Sequence, residues 1–112
     1  MNRDLSRLYD IQEAIEKIIK KLSCSKLFEL NEIEQYGIIY LLQIIGEAAR
    51  ALSESFRQAN SQILWIQIIS FRNFIVHQYF EVDLAIINDV LEKDLPVLKN
   101  QINNLIEKYE NC

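Results

Sequence analysis

The chain has 112 residues, half of them apolar and a quarter charged, with a net charge of −4. That length fits one domain with one core, and the composition excludes the disordered class. The acidic balance argues against nucleic-acid binding by bulk charge.

Two Gly and one Pro in the whole chain are too few for a strand-rich fold, which needs turn residues every 8–12 positions or so. An all-α fold is therefore expected: one domain spanning residues 1–112, built as an up-and-down bundle of about five helices. The start, Met1 to Ile11, carries Arg3, Asp4 and Arg7 and lacks the apolar stretch of a signal peptide. Gln43, Glu47, Gln67 and Arg72 interrupt the apolar segments, so no membrane span is expected. Cys24 and Cys112 have no His at metal-ligand spacing. Free thiols, a cytoplasmic location and no metal are the expectation.

In chain order, Leu5, Leu8, Ile11, Ile15, Ile18, Ile19 and Leu22 share one helical face and predict a first helix over 2–22. Ser23-Cys24-Ser25 breaks it. Asn31, followed by Glu32 and Glu34, caps a second helix running to about Leu52. Its segment from Ile38 to Ala49 is apolar nearly all round, so this helix is central in the bundle or buried at a subunit interface. Gly46, Ala48 and Ala49 allow another helix to approach closely. Ser61 is the expected cap of a third helix over 62–77, Asp83 of a fourth ending near Lys93, and Asp94 of a fifth with Pro96 in its first turn.

Charge is unevenly spread. Residues 48–80 hold Arg50, Arg57 and Arg72 against Glu54 alone, and the rest of the chain is acidic. That positive region contains the only His, in the segment from Trp65 to Phe80, where Arg72, Asn73, His77 and Tyr79 are set among aromatic and aliphatic residues. Polar groups in such a helix need partners or a wet cleft.

At 100° per residue Arg72 and Tyr79 lie about 20° apart, and Asn73 can orient His77 across one turn. Arg72 and His77 lie about 140° apart on a straight helix. They converge only if the helix ends near His77, if the long Arg side chain reaches round, or if a second copy supplies the complement. From composition alone a core or surface His is the commoner reading, and Arg72 could simply pair with Glu47 of the neighbouring helix.

Arg72-Asn73-Phe74-Ile75-Val76-His77 matches the R-x(4)-H motif of the HEPN superfamily. Extended to Tyr79, it resembles the R-x(4)-H-x-Y form of HepT-like toxins. Ile44-Ile45-Gly46-Glu47-Ala48-Ala49, Trp65, Phe80-Glu81-Val82-Asp83 and Asp94-Leu95-Pro96 extend the resemblance over nearly the whole chain. It implies a two-fold homodimer and an endoribonuclease that needs neither metal nor cofactor.

In that reading the RNA 2′-hydroxyl attacks the adjacent phosphate, leaving a 2′,3′-cyclic phosphate and a 5′-hydroxyl. His77 moves the proton and Arg72 holds the phosphate, with Asn73 and Glu47 in support. The RNA is a tRNA or an mRNA. The implied partner is an MntA-like nucleotidyltransferase antitoxin that attaches AMP to Tyr79. A non-catalytic HEPN module that binds nucleotide or a partner protein is the alternative, and a plain helical dimerisation domain is the blandest reading.

Overall fold

The computed structural model describes residues 3–77 and 83–111, without the side chains of Val76 and His77. Leu8, Ile11, Ala14, Ile15 and Ile18 recur every three or four residues. They form the buried stripe of α1 (Arg3–Lys21), each at most 3% exposed. Ile19, expected on that face, sits at its edge and is exposed.

Residues between α1 and the next helix make one 3-10 turn, Leu27–Glu29, whose Leu27 plugs the core. α2 (Glu32–Ala51) starts where the sequence places it. Asn31 Oδ1 accepts from the Glu34 backbone N–H at 2.8 Å, and Glu34 Oε1 accepts from the Asn31 N–H at 3.0 Å, which closes a capping box. Lys21 pairs with Glu34 and ties the end of α1 to the start of α2.

The apolar circumference of α2 is met largely within the protomer. α1 packs on one side and α4 (Trp65–His77) on another, burying Ile38, Ile39, Leu42, Ile45, Ala48 and Ala49. The apolarity of this helix therefore does not by itself call for a second copy.

Two boundaries differ from the sequence expectation. A short helix, α3 (Glu54–Ala59), precedes α4. Ser53 Oγ accepts from the Phe56 N–H at 3.2 Å, while the Asp4 carboxylate accepts from both the Ser53 N–H and its hydroxyl, each at 2.8 Å. Six residues are too few to show periodicity, and Asp4 is 49 residues away, so nothing local announces this helix.

α4 begins at Trp65 rather than 62, and exposed Ser61 is not its cap. Asn60, 1% exposed, organises the turn instead. Its Nδ2 donates to the Phe56 carbonyl at 2.9 Å and to the Tyr109 hydroxyl at 3.1 Å, and its own carbonyl accepts from Trp65 Nε1 at 3.0 Å. A buried amide needs such partners, and these draw three helices together.

Asp83 caps α5 (Leu84–Asp89), accepting from the Ala85 N–H at 2.9 Å. The expected break at Asp94 is absent. The chain passes from α5 through a π turn, Val90–Asp94, into α6 (Leu95–Glu110), and Asp94 makes no side-chain cap. Pro96 accounts for this: it has no N–H to donate, and its ring collides with the carbonyl four residues back in a regular helix. One widened turn just upstream relieves both problems.

Counting 84–110 as one continuous helix interrupted by its π turn gives five helices and no strand among the described residues. α6 packs on α1, and no described helix is long and apolar enough to cross a membrane.

Candidate active site

Trp65 and Ile75 are buried, and Ile68, Ile69 and Phe71 pack against the core. Arg72 follows Trp65 by two turns, which puts it about 20° from Trp65 around the helix. The sequence has thus placed a cation in the register of a buried face. The structure accommodates it at a single point on α2. A Cβ added to Gly46 would overlap the Arg72 Cβ, lie 2.7 Å from its Cγ and come within 3.4 Å of its Cα. Only glycine lets the Arg72 backbone approach α2 this closely.

The side chain then turns outward. Nη2 forms an ion pair with Glu47 Oε2, and Nη1 donates to Asn73 Oδ1 at 3.1 Å. Nε is buried and has no hydrogen-bond partner among the described residues. The Arg72 side chain is 23% exposed and that of Glu47 50%. The guanidinium is therefore oriented, with its Nε edge inward and its two terminal nitrogens at the surface. Each terminal nitrogen carries a second N–H, so an anion approaching this cation meets the Nη edge. An ion pair half open to water adds at most about 1 kcal/mol of stability; the clearer effect of Glu47 is to fix where the cation points.

Of the residues singled out by sequence, the structure brings Arg72, Asn73 and Glu47 together. Asn73 is expected to orient His77 or the phosphate; its carbonyl oxygen accepts from Arg72. His77 closes the described part of α4 by its backbone, and its side chain lies outside the described residues. Tyr79 lies outside them altogether. The outward face of α4 carries Ile66 at 78% exposure with Ser70, Asn73 and Phe74 also exposed. Position 77 continues that row in register, one turn after Asn73.

No described cluster of His, Cys, Asp or Glu could hold a metal ion. A groove of about 410 Å³ between α2, α4 and α6 is lined by apolar residues such as Leu42, Ile45, Phe71 and Leu98, with Asp94 at its rim. None of the residues lining it is cationic.

The sequence reading used Gly46 only as a generic small residue. The specific signal was the pairing of that glycine with an arginine on the next long helix, which only the packing of α4 on α2 reveals.

Comparison with known proteins identifies the family. The sequence model of the family described as "Ribonuclease HepT-like" matches residues 9–105. A Methanocaldococcus jannaschii protein named as an RNase is 30% identical over 98 residues, covering 85% of this chain and 89% of its own. "Probable ribonuclease HepT" of Thermococcus cleftensis is 32% identical over 100 residues, covering 88% and 91%. No solved structure matches significantly. With the match extending through both Gly46-Glu47 and the Arg72 helix, the chain belongs to the HepT-like ribonuclease family and is an endoribonuclease by that membership.

Proposed function

We propose that this endoribonuclease is the toxin of a toxin–antitoxin pair and cleaves RNA without a metal ion, through a 2′,3′-cyclic phosphate. The observation that carries the reading is the anchored Arg72, a cation fixed by Glu47 and Asn73 with its Nη edge at the surface, five residues before His77. The Nη edge of Arg72 binds the scissile phosphate and stabilises the charge that builds on its oxygens.

His77, whose ordinary pKa near 6.5 suits either direction of proton transfer, takes the 2′-hydroxyl proton or protonates the departing 5′-oxygen. The bond formed is 2′-O–P and the bond broken is P–O5′, so no water or metal-bound hydroxide enters the first step.

A two-fold homodimer completes the site. The outward side of α4 exposes Ile66 and Phe74, and Leu64 just before the helix is exposed as well. Such a surface fits a contact between copies that brings two Arg72/His77 pairs to one groove. The antitoxin is a nucleotidyltransferase that attaches AMP to Tyr79, a bulky, negatively charged addition that silences the enzyme. The test is incubation of the purified protein with RNA in excess chelator, followed by mapping of the ends. Cyclic phosphate and 5′-hydroxyl ends support the reading; a strict need for magnesium or 5′-phosphate ends would reject it.

A further inference from the structure

The solvent face of α2 carries a row of polar and aromatic side chains that runs toward the candidate site. Tyr36, Tyr40, Gln43, Glu47 and Arg50 fall within an arc of roughly 80° at 100° per residue. Tyr36 is 49% and Tyr40 62% exposed. Aromatic rings are normally spent in a core, and this helix buries six aliphatic or alanine side chains on its other faces while leaving two tyrosines outside. The row leads straight to the site: Glu47 is the residue that holds Arg72. One turn further on, Arg50 is exposed and makes no ion pair among the described residues.

Along the axis at 1.5 Å per residue, Tyr40 lies about 10 Å before Glu47, and Arg50 about 4.5 Å beyond it. Aromatics, then the anchored guanidinium, then a second cation is a sequence of chemistries suited to an extended polynucleotide. Rings stack on bases of any identity, and cations meet successive phosphates.

We infer that this face of α2 is the substrate track of the enzyme, taking unpaired RNA with nucleobases stacked on Tyr40 and Tyr36 and a flanking phosphate on Arg50. This rests on the ribonuclease reading and names the substrate class it acts on. A base can stack on a protein ring only if it is splayed out of a helix, so the preferred RNA is single-stranded or looped rather than duplex. Base stacking tolerates sequence, so the track confers a preference for accessibility more than for a particular base. A chain of net charge −4 also needs local attraction of this kind, because its overall field repels RNA.

The experiment compares the parent protein with Tyr40→Ala, Tyr40→Trp and Arg50→Gln. Cleavage of a single-stranded RNA oligonucleotide gives kcat and KM. Fluorescence anisotropy with the 2′-O-methyl form of the same oligonucleotide gives binding without cutting. Tyr40→Ala should raise KM and weaken binding by about tenfold, the loss of one stacked base, with kcat changed less than about twofold. Tyr40→Trp should restore both, and Arg50→Gln should flatten the salt dependence of binding.

Equal binding and KM for Tyr40→Ala and the parent would overturn the inference. So would a change of oligomeric state in Tyr40→Ala by light scattering, which would make this face a contact between copies. A parent protein that binds the oligonucleotide in a Tyr40-dependent way without cutting the unmodified RNA would uphold the track and remove the ribonuclease reading.

Discussion

The Gly46 backbone packs directly against the Arg72 side chain: no side chain larger than hydrogen fits at position 46 while the Arg72 Cβ and Cγ occupy their places. Gly46→Ala should therefore push α4 off α2 and carry the guanidinium with it. Overpacking of this kind costs about 1–3 kcal/mol, which thermal denaturation will register while the circular dichroism stays helical. A displacement of about an ångström at a positioned catalytic group costs on the order of 100-fold in rate. Cleavage should accordingly fall much further than stability does. Retention of full activity in Gly46→Ala would show that the position of Arg72 is not critical.

Asn60 is the buried amide on which α3, α4 and α6 converge. Asn60→Ala leaves the Phe56 carbonyl without its donor and should cost about 1–3 kcal/mol. For a chain of this size that lowers Tm by roughly 4–8 °C per kcal/mol. Asn60→Asp should cost more, because it removes the N–H donor and sets a carboxylate against the Phe56 carbonyl. Differential scanning calorimetry of the two variants checks the order.

These two sites also show what the sequence could and could not reveal. The cap at Asn31, the buried stripe of α1 and the cap at Asp83 depend on residues within one or two turns, and local pattern exposed them. Asn60 bonds across 49 residues to Tyr109, and Asp4 across the same span to Ser53, so the turn before α4 and the existence of α3 were hidden. Asp94 read as a cap because it precedes Leu95-Pro96, yet a π turn let the helix continue. At the site, Arg72 and its possible partner Glu47 were legible from type and spacing. The service of Asn73 to Arg72 was not, because an amide one residue away can serve either neighbour. His77 and Tyr79 rest on the motif alone.

Glu34 provides a pH handle. The hydrogen bond from Lys21, helped by the Asn31 N–H, holds its carboxyl below the ordinary value of 4.5. A group whose folded pKa is depressed stabilises the fold above its unfolded pKa, and that stabilisation is lost as pH falls through the folded value. The capping box and the α1–α2 tie should therefore weaken below pH 4.5 or so. Glu34→Gln should be less stable than the parent near pH 7, with the gap closing in acid. Urea melts at several pH values measure it; a gap that widens on acidification would contradict the assignment.

In the proposed reading, a nucleotidyltransferase antitoxin acts on Tyr79. Co-expression with a nucleotidyltransferase of the proposed type should add AMP in increments of roughly 329 Da, a covalent charge-changing modification, and abolish RNA cleavage. Peptide mapping should find them on Tyr79. Increments on Tyr36, Tyr40 or Tyr109, or neutralisation with no mass change, would leave tight antitoxin binding as the better account.

The most direct measurement compares RNA cleavage by the parent, Arg72→Ala, Arg72→Lys and His77→Ala at equal concentration in chelator, with circular dichroism and light scattering on each. The account predicts that both alanine variants keep the helical signal and oligomeric state and lose at least about 100-fold in rate, the scale of a charge-stabilising or acid–base group. Arg72→Lys should recover little, since an ammonium cannot present two Nη groups while bonded to both Glu47 and Asn73. Cleavage by either alanine variant at the parental rate, with folding intact, would contradict the assignment of the reaction to Arg72 and His77.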